Sequence, residues 1–418
     1  MHRARLSVRH FRKFGWNPVV LKVAAKYCAR ESEELLLETL PKGVSIHSVV
    51  AFPVRISELI GIRDLALRAY PFILFKGAQI IRRCEIDLVY FSTTLFYSMT
   101  LGRIWKSLFG TPFVIDMQDP WGTEYRSTRW EVPPDVKRKL ARALHGALEP
   151  WTMRRVDGVV AVSEDYTRVL QKRYAWLSDK PSLVLPFGVD EKDFAVLRSQ
   201  PQDNPFFNPR DGHVHGVYVG AAGPAMAHAL KIVFSAFRKG LETNYDLFSR
   251  IRLHFIGTDY APRSLTKKSV EPLAQELGLS AYVNEHTLRI PYFQSLQMLK
   301  DADFFVIPGS DDPQYTASKV FTYIMLRKPL LAVFHENSSV VDIIRSTGGG
   351  SIVTFDSIST PEAHLKETFR VWRGILERLP FSTTLDRHAF EPYTAFNTTK
   401  RQCELFDQIL ERRQAVEP

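Results

Sequence analysis

Residues 87–122 read DLVYFSTTLFYSMTLGRIWKSLFGTPFVIDMQDPWG. Asp87–Ser92 is a short apolar run, Leu95–Leu108 carries apolar residues at helical spacing, and Pro112–Asp116 is a second apolar run set off by Gly110 and Pro112. Strand, helix and strand in this compass make a βαβ unit, whose strands lie parallel because the helix carries the chain back to the starting end of the sheet. Working outward, the first half offers four more strands, Pro18–Val23, Val44–Val50, Gly158–Val162 and Ser182–Pro186. Helical stretches lie at Glu31–Leu40, Pro134–Met153 and Glu164–Arg173. This alternation predicts a parallel sheet covered by helices.

Residues 188–212 interrupt the series. They are rich in Pro, Asn, Asp and Gln and show little periodicity, which reads as a linker. A fresh series follows, with strands His215–Val219, Ile251–Ile256, Tyr282–Glu285, Asp303–Ile307, Pro329–Phe334 and Ser351–Phe355 and helices between them. The expected fold is therefore α/β, with two Rossmann-like doubly wound domains at 1–190 and 213–385 joined by a linker at 191–212. Residues 386–418, beyond the bend Phe390-Glu391-Pro392, read as a helical segment packing back on the domains.

Composition agrees with that reading. A length of 418 residues fits two or three domains at about 150 residues each. With 45% hydrophobic and 24% charged residues, neither wholesale disorder nor a membrane bundle fits. Cys28, Cys84 and Cys403 are too scattered for a disulfide framework or a cysteine zinc site, which points to a reducing, cytoplasmic compartment. Apolar stretches such as Phe304–Pro308 fall well short of the roughly 18 residues that span a bilayer. Asn337-Ser338-Ser339 and Asn397-Thr398-Thr399 match the glycosylation sequon, which has no meaning in such a compartment. His213 and His215 lack a nearby third ligand for a metal.

The net charge of +10 has an address. Residues 1–200 hold 31 basic and 21 acidic side chains, so the whole excess lies in the first half. The first 30 residues carry Arg3, Arg5, Arg9, Arg12, Lys13, Lys22, Lys26 and Arg30 and no carboxylate. A solvated basic helix face and contact with an anionic membrane both fit. Nucleic-acid binding is disfavoured because no recognition motif accompanies the charge. The first pattern is helix-like, about Arg3–Phe14, and no strand with a glycine-rich turn precedes it. The first domain is thus expected to lack its first strand.

In doubly wound sheets, ligands meet the loops at the carboxyl ends of strands, and in a tandem these are expected to face a cleft. Those loops here are Asp116–Gly122, Ser163-Glu164, Pro186–Asp190, Gly220–Gly223, Gly257–Asp259, Pro308–Asp312 and His335–Ser339. Four stretches, residues 90–122 above, RRVDGVVAVSEDYTRVL, LVLPFGVD and ASKVFTYIMLRKPLLAVFHENSSVVDIIRSTGGG, resemble in order and spacing the family-4 glycosyltransferases of the GT-B fold. The resemblance runs from about Gly15 to Phe355, and bacterial surface-polysaccharide enzymes are the nearest type. It implies an acceptor-binding first domain, a nucleotide-sugar-binding second domain, retaining transfer, and no obligatory metal or cofactor beyond the nucleotide-diphosphate sugar.

The resemblance also assigns residues. Gly220 and Gly223 would let the backbone approach the donor diphosphate, and Ser318, Lys319, Ser338 and Ser339 would complete the donor side. Lys319 opposes a helix dipole, an unfavourable place for a purely solvated lysine. Ala221 stands where the family's arginine is expected. The family's glutamate pair falls at Gln314 and Thr322, neither acidic, and Asp311 or Asp312 are substitutes or merely turn residues. On the acceptor side, Asp119 would orient a sugar hydroxyl and Trp121 would stack on a sugar face. Ser163 and Glu164 read as a helix cap and first-turn acid at the same loop cluster. The expected activity is transfer of a sugar to a glycan or lipid-linked acceptor at the inner face of the membrane. A scaffold that has lost catalysis, serving as a binding or assembly protein, and a sugar-nucleotide epimerase are the alternatives.

Overall fold

In the computed structural model, which describes residues 2–28, 33–119, 121, 136–259, 261, 265–313 and 317–415, every ladder between neighbouring strands is parallel. Each expected strand is present, its ends displaced by at most two residues. The chain divides into two units, Met1–Phe187 with Ala395–Pro418, and Gly188–Thr394.

The first unit opens with helix α1 (His2–Val8), followed by β1 (Val19–Val23) and β2 (Ser45–Val49), which pair only with each other. After α2 (Leu65–Arg83) come β3 (Val89–Ser92), α3 (Phe96–Phe109), β4 (Phe113–Met117), α4 (Val136–Met153), β5 (Gly158–Ala161), α5 (Glu164–Arg173) and β6 (Ser182–Val184). Their sheet has the order β3-β4-β5-β6. Successive residues of β4 face opposite sides. Phe113, Ile115 and Met117 pack with Phe91, Met99 and Trp105 on the α3 side. Val114 packs on the other side with Val8, Phe11 and, from the C-terminal helix Ala395–Gln414, Cys403, Phe406 and Ile409. At Gly102 a Cβ would lie 2.4 Å from the Phe113 ring, so only glycine lets α3 lie this close to the sheet.

The basic N-terminus is divided: Arg12, Lys13 and Lys26 are exposed, whereas three arginines of the first helix and the turn after it point inward. Arg3, Arg5 and Arg9 are buried. Arg3 donates to the Leu185 carbonyl at 2.7 Å and pairs with Asp116. Arg9 donates to the Thr39 carbonyl at 2.8 Å, and Arg12 to that of Gly43 at 2.7 Å. The five donors of a guanidinium suit it to closing off backbone carbonyls that would otherwise be stranded.

The second unit carries β7 (Val214–Val219), α6 (Ala227–Thr243), β8 (Ile251–Ile256), β9 (Val283–His286), β10 (Phe304–Pro308), α7 (Val320–Leu326), β11 (Leu330–His335), α8 (Ser339–Thr347) and β12 (Ser351–Phe355). The order is β12-β11-β10-β7-β8-β9. β10 and β11 are buried along their whole length, as expected of central parallel strands.

Residues 191–212 are not a linker. Asp190 caps a helix at Glu191–Ser199, and Leu197 and Phe207 are buried in the second unit. The polar composition reflects turn chemistry, with Asn204 and Asn208 accepting from the backbone N–H of Phe206 and Arg210. Residues 386–418 also divide. Phe390 is buried in the second unit, whereas Ala395–Gln414 joins the first.

Candidate functional site

In the second unit the turn after β7 is held by Gly220 N donating to the Ile256 carbonyl at 2.8 Å and Ala222 N to that of Thr258 at 2.9 Å. A Cβ on Gly220 would stand 2.6 Å from Lys319 Nζ and 2.7 Å from the Tyr218 hydroxyl. Only glycine lets the lysine ammonium reach this turn. Around Gly223 the space is open, so its glycine is not required by crowding. Tyr218 donates to the Ala221 carbonyl at 2.8 Å and braces the loop from beneath.

Lys319 lies immediately before α7, half-buried. Burial, reinforced by the charge of Arg289, pulls its pKa down to about 8. Arg289 belongs to the loop after β9, with its Cα 3.6 Å from where a Cβ of Gly257 would be. Gly257, at φ +74°, follows β8. The strand order β10-β7-β8-β9 thus gathers Gly220, Gly257, Arg289 and Lys319, which are up to 99 residues apart in sequence, at the carboxyl ends of the strands. No local pattern marks Arg289, since the family's second cation is expected within the Gly220 loop itself.

The other donor-side residues separate. Ser318 and Thr322 are partly exposed, Thr322 N donating to the Lys319 carbonyl at 3.0 Å, while Gln314 lies outside the described residues. Ser338 is buried and caps α8, its hydroxyl accepting from Val340 N; Ser339 is exposed. Asp311 is exposed, and Asp312 N donates to Ser310 Oγ at 3.1 Å in a tight turn. Glu285 is buried, but its carboxylate accepts from Val270 N and Glu271 N at 2.9 Å each and from Thr258 Oγ1 at 2.6 Å, a structural role. Among the described residues no group of three or more His, Cys, Asp and Glu could hold a metal ion.

In the first unit, Asp119 is exposed just past the end of β4. Trp121 is not available to a sugar. Its indole is 2% exposed, stacked on Phe96 at 5.7 Å, and its Nε1–H donates to His145 Nδ1 at 3.0 Å. Burial of the indole in the α3–α4 layer overrides the surface role expected from its loop position. Ser163 caps α5 by accepting from Tyr166 N, and Glu164 is an exposed first-turn acid.

Asp116, three residues before Asp119, is fully buried. Its Oδ2 forms an ion pair with Arg3 Nε at 2.9 Å and accepts hydrogen bonds from the Tyr90 hydroxyl at 2.9 Å, Ser92 Oγ at 3.0 Å and Gln118 Nε2 at 2.6 Å. Burial and the Asp116 charge push the Tyr90 phenol well above its ordinary range. The strand period was the available signal, since it puts Asp116 on the Val114 face and away from Phe113 and Ile115.

Residues 4–193 match the model of Glycosyltransferase Family 4. No curated protein matches the chain. Among solved structures, Anabaena HepE in complex with UDP-glucose is similar at 14% identity and TM-score 0.59, over 97% of this chain and 96% of that one. A glycosyltransferase from Rickettsia africae is similar at 13% and 0.55, over 98% and 94%. The N-terminal domain of Candida albicans trehalose-6-phosphate phosphatase is similar at 12% and 0.54, over 97% and 92%. The chain resembles the family-4 glycosyltransferases and has their GT-B class of α/β architecture, with a parallel sheet in each unit.

Proposed function

We propose that this chain is a retaining glycosyltransferase whose second unit binds a nucleotide-diphosphate sugar and whose first unit supplies the acceptor side, for a glycan or a lipid-linked glycan. The observation that carries the reading is Lys319 pressed against Gly220 with Arg289 beside it. A half-buried ammonium held next to a second cation is unfavourable until an anion arrives. A diphosphate is such an anion. UDP-glucose in the Anabaena neighbour and the family-4 match of residues 4–193 support the same class of substrate.

As the bond from the sugar's anomeric carbon to the diphosphate oxygen breaks, positive charge grows on the ring and negative charge on the departing oxygen. Lys319 and Arg289 meet that negative charge, work that elsewhere falls to a metal, so the proposed reaction needs none. The acceptor hydroxyl attacks from the face the diphosphate leaves, which retains configuration, and its proton passes to the departing phosphate. On the first unit, Asp119 is the exposed carboxylate proposed to accept a hydrogen bond from an acceptor hydroxyl. The free thiols of Cys28, Cys84 and Cys403 suit work in the reducing cytoplasm.

Thermal shift and calorimetry against a panel of UDP-, GDP- and ADP-sugars test the reading. At a hundredfold excess over Kd, the right donor stabilises the chain by about 2.7 kcal/mol; if no nucleotide sugar binds, the reading falls. The scaffold alternative is favoured by Ala221 and Thr322, which stand where the family carries Arg and Glu. It is selected if a donor binds but releases no nucleoside diphosphate with membrane lipid extract as acceptor source. Arg289→Ala is expected to weaken donor binding about tenfold, near 1.4 kcal/mol. An unchanged Kd in calorimetry removes Arg289 from the site.

A further inference from the structure

Arg289 sits in a loop with little slack. At its start, Gly257 N donates to the His286 carbonyl at 2.7 Å and Asp259 N to that of Thr287 at 3.1 Å, which ties the end of β9 to the end of β8. At its far side, the Tyr292 hydroxyl donates to Asp193 Oδ2 at 2.8 Å. Residues 288–291 are all that lies between the two ties, and Ile290 among them packs against the core.

Asp193 has no exposed surface. A carboxylate so placed needs donors, and Tyr292 supplies one. Asp193 belongs to the first turn of the helix Glu191–Ser199, where the helix dipole favours its charge. The residues after that helix follow the helix Tyr292–Asp301, with Gln202 N donating to Gln297 Oε1 at 3.2 Å and Asn204 Nδ2 to Asp301 Oδ2 at 3.1 Å. Phe206 packs on His286 with ring centres 4.7 Å apart. This segment therefore braces the Arg289 loop on both flanks. Its beginning reaches the Lys319 side: Val189 N donates to the Tyr393 carbonyl at 3.1 Å, and the Tyr393 ring stacks at 4.8 Å on Phe321, two residues beyond Lys319.

We propose that Asp193 and Tyr292 are positioning residues for the donor diphosphate, pinning the Arg289 loop so that its cation stays beside Lys319. Two like charges drive each other apart, and a loop untied at Tyr292 would let Arg289 swing into solvent. A cation in the Gly220 loop would have that turn to hold it. With Ala221 at that place, the cation after β9 needs a support of its own. The inference rests on the proposed donor site, and neither positioning residue has to touch the donor.

The test is calorimetry of the full chain with UDP, GDP and ADP. For the diphosphate that the parent binds, Tyr292→Phe is expected to weaken affinity about threefold, the order of effect for a residue that acts on a ligand through another. On an Arg289→Ala background the same change costs nothing further, because the cation it positions is gone. Lys319 gives a readout without donor. Its ammonium, which titrates at about 8 in the parent, titrates higher in Tyr292→Phe, as in Arg289→Ala, when acylation of Lys319 is followed against pH by mass spectrometry. Tyr245→Phe, at an exposed hydroxyl of the same unit, changes neither. Tyr292→Phe with Asp193→Leu strands no buried carboxylate and replaces the single variant if that does not fold. Parent-like affinity in Tyr292→Phe overturns the inference. So does an equal loss on both backgrounds, which marks a merely structural tie. If the parent binds no nucleoside diphosphate, the donor reading falls, and an unshifted Lys319 in Tyr292→Phe then overturns the positioning as well.

Discussion

Lys319→Met is expected to lose donor turnover by a factor of about a hundred to a thousand while making the protein more stable. The loss follows from removing the ammonium that meets the departing diphosphate. The gain follows from the same burial. Lys319 holds its proton in the folded chain with a pKa of about 8 against an ordinary 10.5, and each unit of depression corresponds to about 1.4 kcal/mol. The charged lysine therefore costs on the order of 2–3 kcal/mol, less whatever water reaches it. Below pH 8 both folded and unfolded chains are protonated and the full cost is present. Between pH 8 and 10.5 the folded chain has released a proton that the unfolded chain still holds, so the parent gains stability as pH rises, and Lys319→Met shows no such gain. Donor affinity moves the other way, falling as pH rises above 8 and the ammonium is lost. Thermal denaturation across that window, with donor calorimetry at pH 7 and 9, checks both limbs. A destabilised Lys319→Met, or one that binds donor as tightly as the parent, contradicts the assignment.

The second large effect belongs to the first unit. Arg3→Ala removes the countercharge of Asp116, a carboxylate with no exposed surface, and strands the carbonyls of Leu185 and Pro186. Breaking one side of a buried pair costs about 3–5 kcal/mol. Replacing both sides, Arg3→Met with Asp116→Leu, is expected to recover part of that loss, because no buried charge is then left alone although the Leu185 and Pro186 carbonyls and the Tyr90 and Ser92 hydroxyls still lose their partner. Six of the seven tryptophans lie in the first unit, so denaturant unfolding followed by tryptophan fluorescence reports on it. A loss below about 1 kcal/mol for Arg3→Ala would show that water reaches Asp116 after all.

The strands were legible because their signals are local. Asp87–Asp116 declares a parallel βαβ unit by apolar period and by Gly110 and Pro112, and every other strand follows the same grammar. The cap at Ser163 was legible for the same reason. Trp121 was not, because a loop indole is read as exposed until Phe96 and His145, from the helices on either side of that loop, are seen to enclose it. Residues 191–212 misled because turn composition looks the same in a linker and in a segment anchored by Leu197 and Phe207.

From the sequence alone came the two parallel α/β arrays and the Gly220 turn, since period, punctuation and loop position are properties of short segments; the candidacy of Lys319 came with the resemblance to the family-4 glycosyltransferases. Only the tertiary structure decided where the charges go. Arg3 became internal because carbonyls at Leu185 and Pro186 and a carboxylate at Asp116 meet it. Arg289 became Lys319's neighbour through the order of four strands. A charge's environment is a sum over groups distant along the chain, and no local pattern contains that sum.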